Sequence, residues 1–220
     1  MGTRGRDMAQ FLTLAPDTAP LIRAGALACD DCRALEQDPG LDGPLLEAEQ
    51  AIRSRADVDV APGRTLYRAF GLDPTKTRPS SEALLRRVRR GEPLPRINTL
   101  VDVCNWCSVE VQLPYGLYDL DRVVPPVELR RGREGEQYAG IRKDMVHLAG
   151  RLVVADAQGP FGNPSSDSAR TMVTPGAQRV LVVVFGPSSL PRTAMTGVLD
   201  VTADRLARFA QGRETWRWVS

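Results

Sequence analysis

Asn98-Thr99-Leu100-Val101-Asp102-Val103-Cys104-Asn105-Trp106-Cys107-Ser108-Val109-Glu110-Val111-Gln112-Leu113-Pro114 is the stretch on which the fold turns. Asn98 is a good N-cap, because its side-chain oxygen accepts from a first-turn N–H that has no partner inside the helix. Pro114 cannot continue a helix, since it lacks the N–H and its ring clashes with the preceding turn. Between them Leu100, Cys104, Cys107 and Val111 recur at intervals of four, three and four, which places them on one helical face. A helix over 98–113 follows, with both cysteines turned to the core. Asp102 and Asn105, three apart on the adjoining face, are placed to converge on a partner or a ligand.

Upstream, Ser80 and Ser81 are candidate N-caps for a helix over 80–90 that stops at Gly91, with Leu84, Leu85 and Val88 as its buried stripe. Its other side carries Arg86, Arg87, Arg89 and Arg90, which face either phosphates or, as is commoner for such a run, water. A rigid loop over 73–79 precedes it. Before that, Pro62 opens a short helix with Leu66, Tyr67 and Phe70 at helical spacing, and Gly71 closes it. An amphipathic stretch over 45–55 reads as a helix, and Phe11 begins an apolar patch that runs to Leu14. Residues 1–61 read as an accessory N-terminal segment packed on a domain formed by residues 62–220.

Downstream the texture changes to short β-branched runs broken by turns, at 127–130, 145–148, 152–155, 171–174 and 180–185. A last helix over 202–211 buries Leu206 and Phe209, and Trp216 and Trp218 follow it. The fold class is therefore α+β, with helices mainly in the first half and a mixed or antiparallel sheet in the second.

The chain has 220 residues, 42% hydrophobic and 25% charged, enough for one good core. A net charge of +2 is too weak to mark a nucleic-acid binder by itself. Lys76 and Lys143 are the two lysines among 29 basic residues, a bias that genome-wide codon usage explains more simply than RNA binding does. No apolar run approaches the ~20 residues that span a bilayer, and residues 1–10 lack the apolar centre of a signal peptide. A cytoplasmic location without a membrane partner is expected.

The four cysteines form two C-x-x-C pairs, Cys29/Cys32 and Cys104/Cys107. A four-thiolate zinc site needs tight knuckles that turn the sulfurs to one ion, and the second pair lies inside a helix instead. The first pair, flanked by Asp30 and Asp31, reads as a loop, and no metal or cofactor is expected. His147 is the only histidine and sits in an alternating segment, as a structural strand residue does. No nucleophile elbow, phosphate-binding loop or dinucleotide fingerprint occurs, so the common hydrolase, kinase and dehydrogenase readings drop out. The polar loop Gly159-Pro160-Phe161-Gly162-Asn163-Pro164-Ser165-Ser166-Asp167-Ser168, followed by Arg170-Thr171, is either an ordinary surface loop or a site where backbone amides approach a ligand closely.

Residues 97–106, Ile-Asn-Thr-Leu-Val-Asp-Val-Cys-Asn-Trp, and 113–121, Leu-Pro-Tyr-Gly-Leu-Tyr-Asp-Leu-Asp, resemble a signature of the bacterial phenylalanyl-tRNA synthetase β subunit. The region is its B3/B4 domain, which hydrolyses tyrosine wrongly attached to the phenylalanine tRNA. Residues 67–90, which begin YRAFGLDPTKTRPSSEALLRR, resemble stand-alone proteins that carry this domain, and 152–156 with the glycine-containing loop resembles its second lobe more loosely. The resemblance covers about residues 62–190. It implies a pocket in which Asn105 matches the family's asparagine and Cys104 its neighbouring threonine, with Asp102 and Asp119 as framing acids. Gly116 stands where the family has a histidine, and no acid occurs from Arg170 to Leu199, where the family supplies a glutamate. Gly159, Gly162, Asn163, Arg170 and Thr171 complete the implied pocket, and Arg78, Arg86, Arg87 and Arg90 are the implied tRNA contacts. The implied partners are tRNA or aminoacyl-tRNA and an amino-acid-like ligand, not DNA. The implied function is deacylation of mischarged tRNA, or of a related aminoacylated compound, by water. The departures at Gly116 and in the later strand keep open a binding module without chemistry, and a protein-binding role stands as a third reading.

Overall fold

The computed structural model describes residues 11–142 and 144–220. Residues 1–10, read above for a leader, and Lys143 lie outside the described residues. In chain order the elements are β1 (Leu12–Leu14), β2 (Ile22–Asp30), α1 (Asp42–Ser54), α2 (Ala61–Ala69), α3 (Ser80–Arg89), α4 (Thr99–Val111), β3 (Tyr115–Asp119), β4 (Val127–Arg131), β5 (Gln137–Ala139), β6 (Met145–His147), β7 (Leu152–Asp156), β8 (Gly159–Gly162), β9 (Val180–Pro187), α5 (Arg192–Ala210) and β10 (Arg213–Val219). The fold is α+β, as the sequence indicates.

A central antiparallel sheet runs β10-β2-β9-β3. All eight residues of β9 are buried, because the sheet is covered on both faces and side chains alternate between them. Val180, Val182 and Val184 join Leu27 of β2 in one core with α1, α3, α4 and α5. Leu181, Val183 and Phe185 join Ala24, Ala26 and Ala28 in a second core with α2 and the outer sheet. That outer sheet runs β1-β4-β7-β8, with β1 parallel to β4 and the rest antiparallel. Each fully buried Leu or Phe contributes about 1.5–3 kcal/mol by leaving water. The β5–β6 hairpin covers part of the outer sheet through Tyr138, Val146, Leu148 and Val153.

The helix signals hold where they are local. Asn98 caps α4 by accepting from Val101 N at 3.0 Å, and Gln112, in the left-handed region at φ 56°, ends it. Three expectations are corrected. Ser80 and Ser81 do not cap α3: Pro79 occupies the cap position, and the Ser80 hydroxyl donates to Pro164 O at 3.2 Å. The last helix begins ten residues before 202, since Met195, Leu199, Thr202, Leu206 and Ala210 form one buried stripe that the Gly197 and β-branched positions between them obscure. No strand forms over 171–174. Thr171 closes a 3-10 turn (Ala169–Thr171), and Gly176, at φ 95°, bends the chain before it can pair.

The N-terminal stretch read as an accessory segment supplies β1, β2 and α1, and β2 pairs on both sides, with β9 and β10. Cys29 lies in β2, one residue before its end, rather than in a loop. All four cysteines are buried and free, burial pushes the Cys104 and Cys107 thiols up, and no metal-holding cluster exists among the described residues. No helix of the described residues is long and apolar enough to cross a membrane.

Candidate functional site

The 163–168 loop is held by side chains from four separate elements. Tyr67 of α2 donates to Pro164 O at 3.0 Å and lies 2.8 Å from Ser165 Oγ. Tyr138 of β5 donates to Ser166 O at 2.6 Å and accepts from Asn163 Nδ2 at 2.8 Å. Tyr118 of β3 donates to Asp167 Oδ1 at 3.0 Å, and Ser80 of α3 reaches Pro164 O. Asn163, buried, folds the loop on itself by accepting from Ser165 N at 2.7 Å and Ser166 N at 3.0 Å. A loop so tied presents a preorganised surface rather than a mobile one.

Burial raises all three phenols above the ordinary tyrosine value, Tyr67 to about 12. Because the neutral phenol is favoured in the fold, its contribution is complete below the ordinary value of 10.0 and is lost as pH rises through about 12. The denaturation midpoint is therefore expected to hold steady up to about pH 10 and to fall above it. Tyr67→Phe should flatten part of that fall when the midpoint is followed together with tyrosinate absorbance.

Beside the loop lies an open cleft of about 240 Å³, bounded by Ser80 at the start of α3, Tyr115 at the start of β3, Ile141, and the loop from Asn163 to Asp167. Tyr115 is anchored through its hydroxyl to Thr202 Oγ1 of α5 at 2.9 Å. A larger recess of about 420 Å³ on the outer sheet is lined by Glu128, Arg130, Arg133 and Glu136. Within it Arg130 donates twice to Glu136 at 2.8 Å, a structural clamp.

Of the implied pocket residues, Asn163 lines the cleft, and Gly116 and Gly162 stand behind it. A Cβ at Gly116 would overlap the phenolic oxygen of Tyr118 and come within 2.6 Å of its Cζ, and one at Gly162 would do the same at 2.5 Å. The volume opened by the two glycines is filled by that one phenol, so no side chain at 116 can share it. Asp102 lies elsewhere. Nearly inaccessible, it accepts from Ile97 N at 2.8 Å and Arg96 Nε at 2.9 Å, and burial outweighs both in holding its carboxyl above the usual range. Cys104 is in the helix-side core, and Asn105 is half-buried within α4.

Gly159, at φ 111°, opens β8. Arg170 grips Asp156 at 2.9 and 3.0 Å, and Thr171 is fully buried with its hydroxyl 3.5 Å from Phe161 O. Of the arginines, Arg87 and Arg90 are paired with Glu92 at the far end of α3, ~15 Å from Ser80 along the axis. Arg86 is exposed, and Arg78 stands at the cleft end with only a 3.8 Å approach to Glu82. The residues that sequence reasoning did not single out are Tyr118, Tyr67 and Tyr138. One signal was available: Gly116 and Tyr118, two apart on a strand, share a face, and glycine makes room for a ring.

The family model for the B3/4 domain matches residues 63–216, from α2 to β10, and so spans every element that borders the cleft. The chain is 29% identical over 171 residues to the phenylalanine–tRNA ligase β subunit of Leifsonia xyli, covering 76% of this chain and 19% of that protein. The same subunit of Bartonella quintana is 28% identical over 120 residues (53% and 15%), and that of Xanthomonas campestris 36% over 91 (41% and 11%). The chain thus spans less than a fifth of the length of these relatives. In fold it is similar to an N-terminal fragment of the phenylalanyl-tRNA synthetase β subunit from Pyrococcus horikoshii, with a TM-score of 0.51 at 13% identity, covering 95% of this chain and 53% of that one. With the greater part of its length and the whole wall of its cleft inside the matched region, the chain belongs to the B3/4 domain family.

Proposed function

We propose that the chain takes the aminoacyl end of a tRNA, or of a similar aminoacylated compound, into the cleft beside the 163–168 loop and hydrolyses the ester with water as nucleophile. The observation that carries this reading is the B3/4 match across the cleft-forming elements, a domain whose relatives are tRNA ligase subunits. The chemistry asks little of the protein. An aminoacyl ester is already activated, so a positioned water and fixed donors supply much of what is needed. The tied loop supplies fixed groups of this kind in Ser165 and Ser166, with Asn163 holding the loop in shape from within.

A second reading, a module that binds the same end without hydrolysing it, is favoured by one feature. Tyr118 fills the space next to Gly116, and no imidazole stands at that position. Deacylation of a panel of correctly and wrongly charged tRNAs separates the two, with Asn163→Ala as the control against a contaminating enzyme. Selective release of one amino acid, lost in the variant, supports hydrolysis; no release with tRNA still bound supports the binding module. In the same preparations Arg78→Ala is expected to lower the slope of log K against log salt by about one, whereas Arg90→Ala, already held by Glu92, changes it less. An unchanged slope for Arg78→Ala removes that residue from the RNA contact.

A further inference from the structure

Asn163, Pro164 and Ser165 form a ridge with the cleft on one side and a second, narrow crevice on the other. The crevice, of about 10 Å³, has apolar walls from Leu66 and Phe70 of α2, from Leu72 and from Leu152 of β7. It has room for one water at most, so a ligand group could meet it only at its mouth. Among its described lining residues one side chain is charged, that of Arg151, and none is acidic. Arg151 springs from a fixed turn: Gly150, at φ 74°, precedes it, its N–H donates to Leu148 O at 2.9 Å, and its carbonyl accepts from Gly132 N at 2.8 Å. The side chain is half-buried, yet it has no hydrogen bond, ion pair or ring contact among the described residues. Every other buried or half-buried arginine there donates to a carboxylate or a backbone carbonyl, as Arg64 does to Glu82, Arg96 to Asp102 and Arg217 to Glu214. The phenols whose ionisation Arg151 would favour, Tyr67 and Tyr138, are held neutral by burial and so provide no counter-ion. A half-buried guanidinium without a counter-charge, its fork of donors unspent, suits a phosphate.

We propose that Arg151 is the contact for the phosphate 5′ to the aminoacylated nucleoside, reached when the aminoacyl group lies in the cleft and the nucleoside crosses the 163–165 ridge. The inference rests on the aminoacyl reading of the cleft. It gives the ligand a direction, with the acyl group on the Tyr115 side of the ridge and the strand leading away on the α2 side. It also lets the site favour a nucleotide over a bare aminoacyl nucleoside.

The test uses the purified full chain and amide-linked analogues of the aminoacyl end, in which 3′-amino-3′-deoxyadenosine carries phenylalanyl, tyrosyl or alanyl. Each is compared by calorimetry, at low salt, with the same compound bearing a 5′-phosphate. The expected result is a preference of at least about tenfold for the phosphorylated form, the scale of one charge-assisted contact. That preference should shrink as salt is raised. It should fall to near one in Arg151→Gln, and to an intermediate value in Arg151→Lys, which keeps the charge but not the planar fork. Neither change orphans a partner in the fold, and a merely structural defect would weaken both members of a pair equally and leave the ratio alone. Equal binding of the two forms by the wild-type chain overturns the phosphate contact and leaves the aminoacyl reading standing. A wild-type preference that survives intact in both variants moves the contact to another residue and overturns the assignment of Arg151. Failure of every analogue to bind, phosphorylated or not, overturns the aminoacyl reading itself and this inference with it.

Discussion

Gly116→Ala is expected to lower the stability of the chain by about 2–3 kcal/mol, at the upper end for forcing a methyl group into a filled core. The neighbour it would strike cannot swing away. The Tyr118 ring is wholly buried, wedged between Phe161 and the second glycine, and its hydroxyl is tied to Asp167. Relief would have to come from displacing the ring, which breaks that tie. The diagnostic measurement is a double-mutant cycle in urea. Tyr118→Leu alone should also destabilise, yet Gly116→Ala combined with Tyr118→Leu should cost at least about 1 kcal/mol less than the two single losses added together. Additive losses would mean that the ring does not own the space. A corollary concerns chemistry: Gly116→His cannot by itself install an imidazole at the cleft, since the larger side chain meets the same obstacle.

Asp102→Ala is expected to cost about 3 kcal/mol, the lower bound for breaking a buried ion pair and orphaning its partners. The carboxylate holds the turn before α4 through Ile97 N, and through Arg96 it ties that turn to α1, because the same guanidinium also reaches Asp42 Oδ1 at 2.5 Å and Asp38 O at 3.1 Å. Asp42 remains to satisfy Arg96, which limits the loss. Asp102→Asn keeps an acceptor for Ile97 N and should lose about half as much. Urea denaturation with an unchanged m-value checks both figures. A loss below 1 kcal/mol in the alanine variant would show that the turn is held by Asn98 alone.

These two residues also mark how far the sequence could be read. The start of α4 was legible because Asn98 and the 4-3-4 spacing are local signals, and the same holds for α1, α2 and the end of α3. By contrast β2, with three alanines and a glycine in nine residues, has little β-propensity of its own and exists because it lies between β9 and β10. The strands β3, β8 and β10 were hidden in the same way, by glycine, proline and charge at positions that only pairing explains. Within the site, the glycines and the polar loop were visible as unusual residues, but what joins them was not. Tyr118 and Asp167 meet across 49 positions of chain, and no local pattern announces a contact at that range. The arginine run of α3 shows the converse: a clear compositional signal, half of which the structure absorbs into pairs with Glu92.

The placement of β2 has a bearing on how the chain is made. The Thr215 hydroxyl meets Ala28 O across 187 positions, so the central sheet unites stretches synthesised far apart. As the chain leaves the ribosome, β2 emerges early and waits for β9 and then β10, with both of its edges open and its small, apolar side chains unshielded. The helices can form meanwhile from local information, but the sheet that carries both cores closes only once β9 and β10 have emerged. Contacts of such long range make for slow folding, and they make the interval before β10 emerges the period in which β2 most needs a chaperone.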